Sequence, residues 1–418
     1  MIEVVLAKDI LHKVLNEDVT FKKATKEVFS GGENSSALKC VTALVGCELR
    51  HHLLFKHILK RCEDSFSKDE LELCYLALAN KFFLKALDND EVKKLVDEKL
   101  KDKDHKDFDE IYAFEGSPLD LVKLPRESID FISIRFNTPR WLIKMWSKHF
   151  GKGVTFKILK KNARPLDQYV SVNTLKTSEE DLLKSYPNEF SKSESKNLLK
   201  VNPKANLRKM REYKEDFFYC FKAPLKGLID KYQNELLNEI SLYSGADNSF
   251  VHELIVRSKL EVGINLAVPS IDERPEILRQ IRIFKARNVN LFNAKDEIGM
   301  KTGISGKQEL FYVFPSSSSF DKIAQYPDYL IHFNRENLDS LIEGERKSLE
   351  LVAPYIMQEG LLIYIVDTLN KKESSLIIEE FLNNHTEFEL VEEKQHFPFD
   401  ESNSSLYYAV LKRKSNEL

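Results

Sequence analysis

The chain has 418 residues, of which 42% are hydrophobic and 31% are charged, and its formal net charge is −3. Such a length and composition are typical of two or three packed domains and exclude a disordered or fibrous chain. The slightly negative charge argues against a protein that coats nucleic acid uniformly. No apolar segment approaches the ~20 residues that cross a bilayer, and the first residues lack a signal-peptide pattern, so we expect a cytoplasmic protein with no membrane partner.

The cysteines indicate reduced thiols, and neither a metal centre nor a disulfide framework. They show no CxxC pair and no zinc-ligand spacing, so we predict that the protein holds no metal. Cys74 lies among leucines and is interpreted as a core residue. The chain beyond Cys220 has no thiol at all. The five cysteines are Cys40, Cys47, Cys62, Cys74 and Cys220.

The first part of the chain, to about Leu124, has apolar residues at helical spacing. The run from Leu71 to Leu87 is apolar nearly all round, which is typical of a buried helix. We therefore predict an all-helical bundle with a buried central helix. The charge-dense run from Lys101 to Asp109 has no apolar period and is predicted to be an exposed loop.

Positive charge is concentrated in the middle of the chain. Between Arg140 and Lys214 there are 18 Lys or Arg against 7 Asp or Glu, and such a segment can neutralise phosphates and bind RNA. A lysine-rich solvated surface is the plainer alternative. Tyr213 and the run 217–219 could stack on bases. The candidate RNA-binding side chains are Arg50 and Lys56 in the helical part, and Lys157, Lys160, Lys161, Arg164, Arg208, Lys209 and Arg211 in the basic segment.

Strand-like and helical segments alternate from about Leu228 onward, which favours a doubly wound α/β sheet. Two close-set strands at the end predict an antiparallel edge. A long helix is expected to end at Gly360. The predicted segments are strand Gly263–Val268, helix Glu273–Lys285, strands Val289–Phe292 and Glu309–Phe314, helix Glu336–Met357, strand Leu361–Val366, helix Glu373–Asn383, and strands Phe388–Val391 and Leu406–Leu411.

Three segments carry a family resemblance. The stretch from Ser133 to Gly151, which contains Thr-Pro-Arg-Trp-Leu, resembles a signature of the Sun (Fmu, RsmB-like) family of rRNA cytosine-C5 methyltransferases. The stretch from Val172 to Thr177 resembles that family's Arg-Val-Asn-Thr element, with Ser171 in the arginine position. The stretch from Leu362 to Glu373, followed by Ile378 to Leu382, is closer still. These matches occur in the family's order along most of the chain.

The resemblance implies a fold of the α + α/β class with three parts. Residues 1–132 would form a NusB-like helical RNA-binding domain, residues 133–225 a small basic RNA-recognition domain, and residues 226–418 a Rossmann-like methyltransferase domain. It also implies S-adenosylmethionine as cofactor and RNA, either rRNA or a ribosomal precursor, as partner.

The family's chemistry needs a thiolate that adds to C6 of the cytosine and a second group that helps to release the enzyme. The family's two cysteine elements correspond to Val366-Asp367-Thr368 and to Pro315-Ser316-Ser317 in this chain, so both cysteines are replaced. Asp367 is interpreted as a strand-end carboxylate that caps a helix beginning near Lys371. The serine run that begins at Ser316 is interpreted as a loop.

The cofactor site is predicted to be damaged as well. A Rossmann-type site needs a glycine-rich turn after its first strand and an acid at the end of the second strand. The stretch from Phe250 to Leu260, assigned to that turn, has no glycine, and Pro269 and Ser270 stand where the acid is expected. Asp272 and Asp296 could compensate, although both fit ordinary surface carboxylates. Binding of S-adenosylmethionine is therefore in doubt.

Three functions stay open at this point. The favoured one is an RNA-binding protein that has lost methyl transfer. The second is an active cytosine-C5 methyltransferase with displaced residues, and the third is a protein-interaction scaffold that does not bind RNA.

Overall fold

The structure is a computed structural model that describes residues 1–31, 35–164, 166–233, 239–245, 248–272, 274–401 and 403–415. Its chain divides into two compact units. The helical unit comprises residues 1–164 together with residues 322–334, and the sheet unit comprises residues 165–321 and 335–418. No helix among the described residues is long and apolar enough to cross a bilayer.

The helical unit forms around one hydrophobic core, to which α1, α3 and α4 contribute buried aliphatic faces. Ser67 starts α4 with a reciprocal capping box to Glu70, which satisfies two backbone donors at the helix end. Helix α8 is broken at Gly151, whose φ of 80° is non-helical. The α-helices described here are α1 (Ile2–Asn16), α2 (Phe21–Val28), α3 (Leu38–Ile58), α4 (Lys68–Ala79), α5 (Asn89–Leu100), α6 (Lys106–Ala113), α7 (Ile129–Arg135), α8 (Arg140–Asn162) and α15 (Tyr329–His332).

The all-helical prediction for the first part of the chain is confirmed, and Cys74 is fully buried as expected. The exposed loop predicted over Lys101 to Asp109 is wrong in its second half, because α6 begins at Lys106. Phe108 and Tyr112, four residues apart, are both buried and anchor one face of this short helix. Because charged residues flank Phe108 on both sides, the sequence shows no apolar period that would predict this helix.

A small antiparallel sheet opens the sheet unit, with strand order β2-β3-β1-β4. Alternate residues of these strands, including Val170, Leu199 and Phe218, form its own apolar core. Its strands and helices, with the helix that follows, are β1 (Gln168–Val172), α9 (Glu179–Ser185), β2 (Phe190–Lys192), β3 (Leu198–Val201), α10 (Arg211–Lys214), β4 (Phe218–Cys220) and α11 (Ala223–Tyr232).

A seven-stranded sheet follows, in the order β10-β11-β9-β8-β5-β6-β7. Strands β9, β8, β5, β6 and β7 pair in parallel, whereas β11 pairs antiparallel with β9 and with β10. The elements are β5 (Glu239–Ser244), α12 (Asn248–Arg257), β6 (Gly263–Val268), α13 (Pro275–Phe284), β7 (Val289–Asn293), α14 (Glu297–Gly303), β8 (Gln308–Phe314), α16 (Leu338–Val352), β9 (Ile356–Val366), α17 (Ser375–Asn384), β10 (Phe388–Gln395) and β11 (Tyr407–Arg413).

The doubly wound sheet with an antiparallel edge is confirmed, but the end of the long helix is not. Helix α16 stops at Val352, and strand β9 already begins at Ile356, so Gly360 lies inside the strand. A Cβ on Gly360 would lie 3.0 Å from the carbonyl oxygen of Gln308, where the pairing of β8 with β9 shifts register. Gly360 therefore allows the two strands to approach at this irregularity, and it does not end a helix.

Candidate functional site

The carboxyl ends of β8 and β9 bring Ser316 and Asp367 to the same edge of the large sheet. The strands are parallel neighbours, so the loops that follow them, with Ser316 and Asp367, emerge at the same edge of the sheet. The Ser317 hydroxyl lies 3.4 Å from the carbonyl oxygen of Asp367. The hydroxyls of Ser318 and Thr368 are 2.8 Å apart. The adjacency that the resemblance implies for these two loops is present in the fold.

Asp367 is held by a lysine. Its carboxylate lies 2.5 Å from the Nζ atom of Lys222, which is also 3.0 Å from a carboxylate oxygen of Asp321. The side chains of Asp367 and Asp321 are only 7% and 13% exposed. The predicted capping role of Asp367 is wrong, because the side chain of Asn370 accepts the hydrogen bond from the backbone N–H of Lys372 instead.

The groups at these two positions are poorly suited to attack a pyrimidine ring. An ion-paired carboxylate has its charge stabilised by the ammonium group, which lowers its nucleophilicity. The hydroxyl of Ser316 donates a hydrogen bond to the carbonyl oxygen of Gly245 at 2.6 Å, so its proton faces an amide oxygen and not a base. A serine needs an adjacent general base to become a nucleophile. The serine run does form a loop, between β8 and the 3-10 turn at Phe320.

A buried carboxylate orders both loops. Glu373 is fully buried and accepts hydrogen bonds from the backbone N–H of Ser318 at 2.6 Å and from the side chains of Thr368 and Asn370 at 2.9 Å each. Burial, together with the neighbouring charge of Glu373, raises the pKa of Glu345 on α16 to about 11. Glu345 is therefore a neutral acid at pH 7.

The turn after the first strand of the large sheet lies elsewhere than predicted. The segment from Phe250 to Leu260 belongs mostly to helix α12, and the chain leaves β5 at Ser244 and Gly245. The prediction that placed the cofactor turn in that segment was therefore wrong. The turn directly follows β5, a few residues earlier in the chain. Gly245 is needed here because a Cβ would lie 2.6 Å from the backbone nitrogen of Ser316. This glycine serves close packing between two loops of the protein itself.

An arginine covers the carboxyl end of β5. The guanidinium of Arg274 donates to the carbonyl oxygen of Gly245 at 2.9 Å, to the hydroxyl of Ser244 at 3.0 Å and to its carbonyl oxygen at 3.3 Å. A ribose-binding site needs an acceptor carboxylate near this edge, whereas a guanidinium can only donate. Arg274 thus directs its donors at the turn that a cofactor would approach.

The three predicted cofactor-binding residues, Ser270, Asp272 and Asp296, stay predictions. Ser270 is half-buried just after β6, and Asp272 is exposed. Asp296 is exposed and caps helix α14 by accepting from the backbone N–H of Gly299 at 3.0 Å. A helix-capping carboxylate already has its hydrogen-bonding role. The described residues at this edge therefore fit S-adenosylmethionine poorly.

The basic candidates fall on both units. In the helical unit, Lys157, Lys160 and Arg164 are exposed and Lys161 is half-buried, near the end of α8. The ammonium of Lys160 lies 5.0 Å from the ring centre of Phe156. Lys56 is exposed on α3, and Arg50 is half-buried and donates to the carbonyl oxygen of Ala324 at 3.3 Å. In the sheet unit, the exposed candidates are Arg208, Lys209 and Arg211, of which Arg211 pairs with Glu215 at 2.8 Å.

Two of the expected stacking aromatics are core residues. Phe218 is fully buried and Tyr219 is 7% exposed, so neither offers a face to a base. The two residues are adjacent along β4 and point to opposite faces, Phe218 into the core of the small sheet and Tyr219 into a core shared with the large sheet. Both faces of this strand are therefore covered, which a run of aromatics in the sequence does not reveal. Lys222, Asp321 and Arg274 were missed as functional positions, because each acts through residues distant in sequence.

The comparisons with known proteins agree with this fold. No protein-family model matches the chain. The probable ribosomal RNA small subunit methyltransferase B of Bacillus subtilis (strain 168) is 22% identical over 263 residues, which are 60% of this chain and 57% of that protein. The chain resembles the Sun (RsmB-like) family of rRNA methyltransferases. The alignment thus spans little more than half the length of this curated relative of the Sun family.

Solved structures show the same architecture. The crystal structure of PH0851 superposes with a TM-score of 0.78 over 98% of this chain and 99% of its own, at 16% identity. The structure of NSun6 from Pyrococcus horikoshii with SFG gives a TM-score of 0.58 over 66% of this chain and 99% of its own, at 13% identity. At such identities the likeness shows the fold, which is that of a helical region joined to a Rossmann-like methyltransferase sheet.

Proposed function

We propose that the protein binds RNA, either rRNA or a ribosomal precursor, and does not transfer methyl groups. The observation that carries this proposal is the ion pair between Lys222 and Asp367 at the strand end where the resembling family places its nucleophilic cysteine. A thiolate at this position is the agent of the family's reaction. In its place stands a carboxylate that is paired with a lysine.

The cofactor edge supports the same proposal independently. NSun6 from Pyrococcus horikoshii was solved with SFG, an analogue of S-adenosylmethionine, so the fold can present such a site. In this chain Pro269 and Ser270 follow β6, and Arg274 donates to the turn after β5. The two residues directly after β6 thus offer no carboxylate to accept from ribose hydroxyls. We therefore propose that S-adenosylmethionine binds weakly or not at all.

RNA binding is supported by exposed positive charge and by the relatives. The B. subtilis relative is described as a probable rRNA methyltransferase. The end of α8 carries Lys157, Lys160 and Lys161, with Phe156 beside them, and combines cations with a partly exposed ring. Exposed lysines bind phosphates by releasing counterions, and ring faces stack on unpaired bases.

Two measurements test the loss of catalysis. Purified protein is incubated with small-subunit rRNA and S-adenosylmethionine carrying a labelled methyl group, and cofactor binding is measured by calorimetry. We expect no label in RNA and no binding heat. Label in RNA would show instead an active methyltransferase with displaced residues. The variant Asp367→Cys is the matched control, because it restores a thiol at this position. If the variant also transfers no methyl group, the cofactor edge is defective as well.

A third measurement tests RNA binding. The dissociation constant for rRNA fragments is measured over a range of salt concentrations in the wild type and in the triple variant Lys157→Ala/Lys160→Ala/Lys161→Ala. We expect the triple variant to lower the slope of log K against log salt by about 2, as three lost phosphate contacts to single-stranded RNA predict. The control is Lys22→Ala/Lys23→Ala/Lys26→Ala on α2, which removes the same charge from another exposed helix. Salt-independent or absent RNA binding would favour a protein-interaction scaffold.

A further inference from the structure

Two helices of the helical unit bring three metal-binding side chains together. His12 lies on α1, and Asp69 and Glu72 lie near the start of α4, where a spacing of three residues puts them on one face. The Nδ1 atom of His12 and one carboxylate oxygen each of Asp69 and Glu72 lie within 4.8 Å of one another. Imidazole nitrogen and carboxylate oxygen are zinc ligands. The cluster contains no cysteine, so the cysteine spacing that argued against a metal does not bear on it.

The distances suit ligands of one ion better than they suit a hydrogen-bonded histidine. Nδ1 of His12 lies 3.3 Å from Oδ1 of Asp69 and 3.2 Å from Oε2 of Glu72. A charged imidazole donates to a carboxylate over about 2.7–2.9 Å, and its one Nδ1–H proton serves one oxygen well and not two. Ligands bound at about 2.1 Å to a tetrahedral Zn²⁺ ion are about 3.4 Å apart, close to both observed separations.

Neighbouring side chains hold the two carboxylates in this orientation. The amide of Asn16 donates to Oε1 of Glu72 at 2.6 Å, and the ammonium of Lys8 donates to Oδ2 of Asp69 at 3.1 Å. Each carboxylate thus keeps its other oxygen for His12 and for an ion. Hydrogen bonds of this kind orient the ligands of protein metal sites. Lys8 also lies 3.7 Å from Asp9, so three carboxylates surround one ammonium group and the local charge favours a cation.

Glu72 stands at the closed side of the cluster. Its side chain is 3% exposed, and burial raises its pKa, because a carboxylate charge is unfavourable where water is scarce. A divalent ion at 2 Å would offset that cost far more than a long contact with His12 does. The side chains of His12 and Asp69 are 35% and 56% exposed, so the other side of the cluster is open to water. An ion can enter there and keep a water ligand.

A second group of the same composition serves as an internal comparison. Among the described residues, Asp97, His105 and Asp109 also bring three ligand atoms together. There the ammonium of Lys93 pairs with both carboxylates, at 2.8 Å from Oδ1 of Asp109, and Nε2 of His105 is 3.6 and 3.9 Å from the carboxylate oxygens. Lysine already supplies the cation in that group, whereas Lys8 contacts only the outer oxygen of Asp69.

We propose that His12, Asp69 and Glu72 bind one Zn²⁺ ion, with water in the fourth position. The imidazole ligand favours Zn²⁺ over Mg²⁺, which prefers six oxygen ligands in an octahedron. The bound ion joins α1 to α4 and therefore stabilises the helical unit against unfolding. This site is separate from the loops that follow β8 and β9, and it does not depend on RNA binding.

Zinc titration of the full chain tests the site. Metal-free protein, prepared with a chelator, is titrated with Zn²⁺ and separately with Mg²⁺ in a calorimeter. All proteins carry Cys220→Ser, which removes the exposed thiol as a competing ligand. We expect one Zn²⁺ per chain, much weaker Mg²⁺ binding, and a higher melting temperature with Zn²⁺. His12→Gln should weaken zinc binding by about a hundredfold, because a ligand is lost, and Asn16→Ala by about tenfold, because Glu72 loses its orienting bond.

His105→Gln is the matched control and should leave the zinc affinity unchanged. Zinc binding that His12→Gln does not weaken, or that His105→Gln weakens equally, would overturn the proposal, as would the absence of binding in the parent protein. Asp69→Asn guards against a folding defect in His12→Gln, since the Asp69 side chain is mostly exposed. It should keep the melting temperature of the metal-free protein and still lose zinc affinity, and an unchanged affinity in this variant would contradict the site.

Discussion

The ammonium group of Lys222 lies 2.5 Å from the carboxylate of Asp367. The two side chains are 24% and 7% exposed, so the pair is largely shielded from water. Lys222 precedes helix α11, next to the small antiparallel sheet, whereas Asp367 directly follows strand β9. The pair therefore joins two parts of the sheet unit at the carboxyl end of β9.

Breaking this pair should destabilise the sheet unit. Lys222→Met leaves two carboxylates, Asp367 and Asp321, in a poorly solvated site without their cation. We expect a loss of about 3 kcal/mol in the free energy of unfolding, measured by urea denaturation with circular dichroism. Asp367→Asn is the matched comparison, because it keeps the shape and leaves Lys222 paired with Asp321, and should cost about 1 kcal/mol. Equal losses in both variants would contradict this account of the pair.

Stability should depend on the ionisation of Glu345. Burial and the adjacent Glu373 raise the pKa of Glu345 from 4.5 to about 11, so the folded state keeps a proton that the unfolded state loses above pH 4.5. The stability that this proton contributes is complete below pH 4.5 and is lost as the pH rises from there toward 11, by at most about 1.4 kcal/mol per pH unit. Glu345→Gln, which carries no such proton, should gain stability relative to the wild type as the pH rises.

Urea midpoints of the two proteins at pH 5, 6, 7 and 8 measure this effect. We expect the advantage of Glu345→Gln to grow steadily across the series. Glu343→Gln on the same helix is the control, since the Glu343 side chain is 72% exposed. A constant difference between wild type and Glu345→Gln at all four values would show that Glu345 is ionised in the folded protein.

A second buried ion pair lies beneath the small sheet. Lys226 is 5% exposed and its Nζ atom lies 2.5 Å from Glu253, which is 1% exposed and also accepts from Ser171 at 2.6 Å and from Tyr219 at 2.8 Å. Lys226→Met leaves a buried carboxylate without its cation and should cost about 3–5 kcal/mol, measured by urea denaturation. Ser171→Ala removes the hydroxyl that donates to Glu253 and accepts from Lys226 at 3.3 Å, but it keeps the ion pair and should cost only about 1–2 kcal/mol. A loss for Lys226→Met no larger than that for Ser171→Ala would contradict this account of the pair.

The local patterns of the sequence predict the fold well. The strands at Gly263–Val268 and near Val289 and Phe388 begin where they were expected, because each is an apolar run bounded by polar residues or glycine. The errors at Gly360 and at Lys106 come from tertiary contacts. A glycine in a strand irregularity looks like a helix end, and one buried aromatic face is enough to form a short helix among many charges.

The candidate site is less predictable, since its bonds join residues that are far apart in the chain. The sequence marks Ser171 as a departure from the family's arginine, but it does not show that Lys226 places a cation 3.3 Å from the Ser171 hydroxyl. In the same way, the sequence predicts Asp367 at the cysteine position, but it does not indicate the contact between Asp367 and Lys222. Arg274 lies next to the residues considered for the cofactor, yet only the fold turns its guanidinium back onto Gly245.

Gly245 should tolerate no side chain, which tests the packing of the cofactor turn against the serine loop. A Cβ would lie 2.6 Å from the backbone nitrogen of Ser316 and 3.0 Å from the carbonyl carbon of Pro315, and backbone atoms cannot move aside as a flexible side chain can. Gly245→Ala should therefore cost about 1–3 kcal/mol in unfolding free energy. Gly227→Ala is the control, because Gly227 is exposed within α11, its Cβ would meet nothing within 4 Å, and alanine there should stabilise by about 0.5–1 kcal/mol. Opposite signs for the two variants in urea denaturation are the expected result, and a stabilising Gly245→Ala would mean that the turn stands open, with room for a cofactor.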